Sequence, residues 1–239
     1  MWFLNRDDLA TFEAQRLLAH PERARLLHGE GVDIAQFAPA PLPERDTYTF
    51  VLIGRLLWDK GVREYVDAAR ALKPRYPHAL KPRYPHARFA LLGPVGVDNP
   101  SAVSQTYLDE WVREGAIEYL GEAHDVRPHI EAVDCVVLPS YREGVPRTLM
   151  EASAMCRPIV ATDVPGCRDV VADGETGLLC TARDNASLAE KMAAMLDLPT
   201  DARRAMGERG REKVLREFDE ANVVDRYRET IRALTGTAL

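Results

Sequence analysis

Glu143 and Glu151 are separated by seven residues in SYREGVPRTLMEASA (140–154), across what reads as a loop-to-helix junction. A carboxylate accepts hydrogen bonds from two neighbouring hydroxyls, so one on the loop and one in the first helical turns could each grip a polyol. Gly144 lets a ligand approach the backbone, and Pro146 suits a first helical turn. Two cations follow an earlier apolar run, in GRLLWDKG (54–61): Arg55 directly after it and Lys60 just before a helix. Arginine offers a rigid fork and lysine a mobile point charge. The helices opening after GRLLWDKG, after SYREGVP and within DVPGCRD (163–169) each present unpaired N–H groups at their starts, which suit a phosphate. The sequence holds no Asp-rich cluster for a divalent ion, so the expectation is an anion site with neither metal nor cofactor. Plainer roles compete. Thr148 and Glu151 fit a capping box, Arg55 fits a solvated strand-end charge, and Lys60 fits a surface pair with Asp59 or Glu64. The joint placement of both cations at one strand end favours the functional role.

The elements that must position these residues are legible as short apolar runs. TFVLIG (49–54), RFALLG (88–93), IEYLG (117–121), DCVVLPS (134–140) and RPIVATD (157–163) recur with helical patterns between them, and GLLC (177–180) is a weaker sixth. Such runs predict βαβ units in a buried parallel sheet, hence an α/β, Rossmann-like doubly wound fold with C-terminal helices. Ligands of such sheets lie beyond the strand C-termini, where Arg55, Lys60 and Glu143 fall. The division expected is 1–38 as a strand remnant, helix and linker, 39–200 as the Rossmann-like unit entered through PAPLPERDT (39–47), and 201–239 as C-terminal helices. Helical stretches are expected from Asn185 through Leu198, then through Phe218, then through Leu234. ALKPRYPH occurs at 71–78 and again at 79–86. Pro74, Pro77, Pro82 and Pro85 forbid a continuous helix there, so the second copy is expected as a loop remote from the ligand edge, costing about 1 kcal/mol.

Composition narrows the function. With 31 basic against 37 acidic side chains the net charge is −6, which argues against a nucleic-acid partner. Apolar residues make up 46%, enough for a core without staples. Cys135, Cys156, Cys167 and Cys180 show no C-x-x-C spacing, so a reducing compartment and no structural metal are expected. MWFLNRDDLA is charged too early for a signal peptide, and no run reaches membrane-spanning length. The chain is therefore expected to be cytoplasmic. No G-x-x-x-x-G-K-[ST], G-x-G-x-x-G or G-x-S-x-G is present, which disfavours P-loop hydrolases, nicotinamide enzymes and serine hydrolases. His28, His124 and His129 read as loop or helix-surface residues, and Met192, Met195 and Leu196 as a packing stripe.

GEGVDIAQFAP (29–39), GRLLWDKGVREYVDAARAL (54–72), the Glu-x7-Glu segment and RPIVATDVPGCRDVVADGETGLL (157–179) occur in an order that resembles the C-terminal, donor-binding domain of family-4 retaining glycosyltransferases, one half of the two-domain GT-B fold. The resemblance implies that Arg55 and Lys60 hold the donor diphosphate as a leaving group and that Glu143 faces the transferred sugar. By the same resemblance Gly144, Val145 and Pro146 line that sugar's pocket, Arg147, Thr148 and Leu149 offer backbone groups to the diphosphate, and Glu151 binds the ribose. Pro94, Leu120, Gly121 and Val126 would border the nucleobase. The implied partners are a nucleotide sugar, with UDP-hexose or UDP-N-acetylhexosamine favoured, and a polysaccharide or lipid-linked acceptor. A lipid-linked acceptor would place the enzyme at the cytoplasmic face of the membrane. Residues 1–38 match only the last strand and linker of the family's N-terminal, acceptor-binding domain. The chain alone is therefore expected to be weakly active, and its exposed interdomain face to form homodimers. Two departures stand out: Cys156 occupies a common glycine position, and Asp169 replaces a common glutamate. Alternatives are a non-catalytic nucleotide-sugar-binding or scaffolding fragment and a sugar-nucleotide epimerase-like domain, although no acid/base pair for the latter is evident.

Overall fold

The computed structural model describes residues 1–27, 29–73 and 87–235, with no side-chain description of residue 234. The chain opens with a short strand β1 (Trp2–Phe3), helix α1 (Arg6–Ala14) and strand β2 (Arg25–Leu26), β1 and β2 pairing in parallel. The Rossmann-like unit follows: β3 (Thr49–Ile53), α2 (Val62–Leu72), β4 (Arg88–Leu92), α3 (Gln105–Arg113), β5 (Glu118–Tyr119), α4 (Arg127–Glu131), β6 (Cys135–Leu138), α5 (Arg147–Ala154), β7 (Ile159–Thr162), α6 (Cys167–Val170) and β8 (Leu178–Cys180). Helices α7 (Asn185–Asp197), α8 (Thr200–Glu217) and α9 (Glu220–Thr235) complete it. All six apolar runs form strands, and the three C-terminal helices begin and end within a residue or so of their sequence boundaries. Helix α2 stops at Leu72, before Pro74; the duplicated segment beyond Lys73 and His28 lie outside the described residues.

The six-stranded sheet is parallel throughout, in the order β5-β4-β3-β6-β7-β8. Its strands alternate across two cores. Phe50, Leu52, Phe89, Leu91, Cys135 and Val137 face one layer with α2, α3 and α7. Val51, Ile53, Ala90, Leu92, Val136 and Leu138 face the other with α5 and α6. Because both faces are covered, the central positions of β3, β4, β6 and β7 are apolar in succession rather than at alternate positions, with polar residues such as Thr49, Arg88 and Thr162 at the strand ends. The connections leave β3 towards β4 and β6 towards β7, so the order reverses between β3 and β6. Their C-terminal ends form the switch-point crevice of a doubly wound sheet.

Two of the attachments of the flanking segments lie at Arg157 and Val32. Arg157, fully buried, donates to the carbonyls of Ile130, Glu131, Ala40, Pro41 and Met155 at 2.8–3.4 Å. Val32 and the α8–α9 corner exchange backbone bonds, Val32 N–H to Phe218 O at 2.9 Å and Glu220 N–H to Val32 O at 3.1 Å. Helix α9 then runs back to the N-terminal strand, where Tyr227 packs edge-on against Trp2 with ring centroids 5.0 Å apart. No helix among the described residues is long and apolar enough to cross a membrane.

Candidate functional site

The loop after β3 and the loop after β6 meet at the switch point because a glycine lets them touch. Gly61 has φ +70°, and a Cβ built on it would lie 2.1 Å from the Pro139 carbonyl oxygen, so no other residue fits without moving the backbone. That approach brings Lys60 onto Glu143, with Nζ donating to Oε1 at 2.5 Å. Ser140 Oγ donates to the same oxygen at 2.6 Å. Ser140 is itself held by Thr162 Oγ1, which donates to its carbonyl at 2.5 Å. Tyr141 N–H donates to Asp59 O at 2.9 Å, a further tie between the two loops. The Tyr141 hydroxyl donates to Glu64 at 2.7 Å; burial, reinforced by that carboxylate, pushes its pKa up to about 12. Among the described residues Lys60 is therefore joined to Glu143 and not to Asp59 or Glu64.

Helix α5 starts at the same place. Its N-cap is Pro146, and the Thr148 hydroxyl donates to Ile53 O at the end of β3, at 3.4 Å. Thr148 is thus not the cap and Glu151 does not close a capping box. The Leu149 N–H donates to Pro146 O at 3.1 Å and its side chain is fully buried. The amides of Arg147 and Thr148 have no hydrogen-bond partner among the described residues. They are the donors of a helix start. Glu151 is buried, with the Arg147 guanidinium 3.7 Å away and no hydrogen bond to its carboxylate among the described residues. Burial raises its pKa, and Arg147 opposes the rise. Arg55 is exposed and has no ion pair among the described residues.

The remaining predicted residues spread to either side. Val145 is buried against Gly29. Pro94 is tied to the β3 rim, its carbonyl accepting from Leu56 N–H at 2.9 Å, and Gly93 N–H donates to Gly121 O at 2.8 Å. Pro94 and Gly121 therefore line one edge from β3 through β4 to β5, with Leu120 exposed on it. Val126 caps α4 and packs on the second core. The third helix start is closed internally, because the Gly166 N–H donates to Asp169 Oδ2 at 3.0 Å. Ser140 was missed in the sequence, hidden as the polar end of an apolar run. Asn5 and Asp8, which touch the Glu143 loop, carry no local signal. A concavity of about 740 Å³ lies elsewhere, between Arg6 and Asn222 and Arg226 of α9, and shares no residue with the switch point.

A doubly wound sheet with its crevice at the switch point defines a Rossmann-like domain. Comparison with known proteins supplies the family: residues 47–198 match the family described as Glycosyl transferases group 1, and the chain belongs to it. It is 34% identical over 148 residues to the N,N'-diacetylbacillosaminyl-diphospho-undecaprenol alpha-1,3-N-acetylgalactosaminyltransferase of Campylobacter jejuni, covering 62% of this chain and 35% of that protein. It is 29% identical over 213 residues to the putative colanic acid biosynthesis glycosyltransferase WcaL of Escherichia coli, covering 85% and 50%. The chain thus spans half or less of these two curated relatives. Among solved structures, Anabaena HepE in complex with UDP superposes with a TM-score of 0.79 at 19% identity, covering 97% of this chain and 63% of that one. The fold is that of one half of a GT-B glycosyltransferase.

Proposed function

We propose that this chain is the donor-binding part of a retaining glycosyltransferase that takes a UDP-linked hexose or N-acetylhexosamine. The observation that carries the reading is the switch-point assembly, where Lys60 and Ser140 converge on Glu143 beside two unpartnered helix-start amides. In this reading Lys60 and Arg55 neutralise the diphosphate and stabilise it as a leaving group, with the Arg147 and Thr148 amides as fixed dipoles. Glu143 and the Gly144–Pro146 backbone meet the sugar, the Glu151 carboxylate accepts from the ribose hydroxyls, and the Pro94–Gly121 edge borders the base. The diphosphate charge is met by side chains and amides alone, so binding is expected to persist in EDTA. The undecaprenol-linked substrate in the name of the Campylobacter relative supports a polysaccharide or lipid-linked acceptor, reached at the cytoplasmic face of the membrane. UDP in the HepE complex supports the base.

Calorimetry with UDP, GDP and ADP tests this reading, repeated on Arg55→Ala and Glu151→Ala. Heat with UDP that disappears in both variants is expected. Equal heats in all three proteins would move the site elsewhere.

A further inference from the structure

The loop that carries Glu143 is gripped from outside the Rossmann-like unit. Asn5, only 2% exposed, caps α1 through its Oδ1, which accepts from Asp8 N–H at 2.8 Å. Its Nδ2 donates both hydrogens, to the Gly144 carbonyl at 2.9 Å and to Asp8 Oδ2 at 2.9 Å. The amide is fully satisfied, which fixes which end is nitrogen. Asp8 in turn pairs with Arg142, and Leu4 lies where a Gly144 side chain would begin. Gly166 (φ +80°) also closes on this carbonyl, since a Cβ there would lie 2.3 Å from Gly144 O. Residues 142 and 144 are thus held on either side of Glu143 by one buried amide and its helix cap.

We propose that Asn5 is a positioning residue for the sugar end of the site: by holding the Gly144 carbonyl it fixes the Glu143 carboxylate against Lys60. This rests on the donor reading for its ligand, but the clasp itself is a property of the chain. Its consequence is selective. Of the groups assigned to the diphosphate and ribose, Arg55, the α5 amides and Glu151 belong to elements that Asn5 does not touch, and Lys60 feels the clasp only through Glu143. Loss of the clasp should therefore weaken recognition of the sugar more than that of the nucleotide.

Asn5→Asp isolates the effect. It keeps the oxygen that caps α1 but turns the donor facing Gly144 O into a second acceptor. Two readouts decide. Hydrogen exchange of the Tyr141 amide, which donates to Asp59 O at the foot of this loop, should speed up about tenfold in Asn5→Asp while that of the α5 interior stays constant. Affinity for UDP-N-acetylglucosamine should fall towards that for UDP, with UDP itself losing less. Unchanged exchange at Tyr141, or an equal loss of UDP and UDP-N-acetylglucosamine, would overturn the proposal. If the wild-type protein binds neither ligand, the donor reading fails and the exchange experiment alone decides the clasp. Asn5→Ser, which keeps a capping oxygen but falls about one bond short of Gly144, should match Asn5→Asp in both readouts; wild-type behaviour in it would count against the clasp.

Discussion

A buried carboxylate is costly unless its charge has a use, and among the described residues the ionic neighbour of Glu151 is one guanidinium 3.7 Å away. Because burial raises its folded pKa above the ordinary value, the folded chain holds the proton more tightly than the unfolded one. Stability contributed by this group is then greatest at low pH and is lost as pH rises through the raised pKa. Affinity for a ribose should run the other way, since only the carboxylate accepts two hydroxyl bonds. Glu151→Gln is expected to raise the melting temperature at pH 7 while lowering UDP affinity by about tenfold or more. In the wild type, UDP affinity should fall on acidification at a pH above the usual carboxylate range, a step missing from the variant. A melting temperature unchanged by the substitution would show that the buried charge costs nothing. At this scale the sequence was partly legible. Spacing and the family resemblance pointed to Lys60, Glu143 and Glu151, but nothing local pairs Lys60 with a residue 83 positions away, nor Asn5 with one 139 positions away. The capping-box alternative failed because the helix begins one residue earlier than Thr148, at Arg147, behind a proline cap.

At the scale of elements, the strands read clearly because a sheet covered on both faces writes itself as continuous apolar runs. The helix end after Glu151 was legible too, as a conflict. Cys156 has φ +59°, and the turn closes as a Schellman motif, with Cys156 N–H donating to Ser153 O at 3.0 Å and Arg157 N–H to Ala152 O at 2.9 Å. That left-handed position costs a residue with a Cβ about 1 kcal/mol relative to glycine. Helix α8 presses on it, since a side chain at Gly207 would meet the Cys156 carbonyl at 2.1 Å. Cys156→Gly is therefore expected to raise the melting temperature by about 3 °C without altering UDP binding. A lower melting temperature would mean that the thiol packs better than its backbone fits.

For the whole molecule, Val224, Tyr227 and Ile231 share one exposed stripe on α9, being 37%, 40% and 42% exposed. The apolar stripe predicts self-association: light scattering after gel filtration should show a dimer fraction that grows with concentration, and Ile231→Glu should abolish it. A clean monomer at high concentration would remove the stripe as a contact. That the candidate residues lie beyond β3 and β6 was legible in the sequence, because loops after apolar runs fall at the strand C-termini of a parallel sheet. The return of α9 to β1 was not, since both segments lack a pattern that names a partner. The five carbonyls around Arg157 have a consequence for motion. They are shielded from salt, whose screening acts weakly on buried groups, so residues 40 and 41 should stay fastened in high ionic strength. Val32 is equally fixed by its exchange with the α8–α9 corner. To free the N-terminal segment from this unit, the Arg157 carbonyls, the Val32 exchange and the Asn5 clasp would all have to part together.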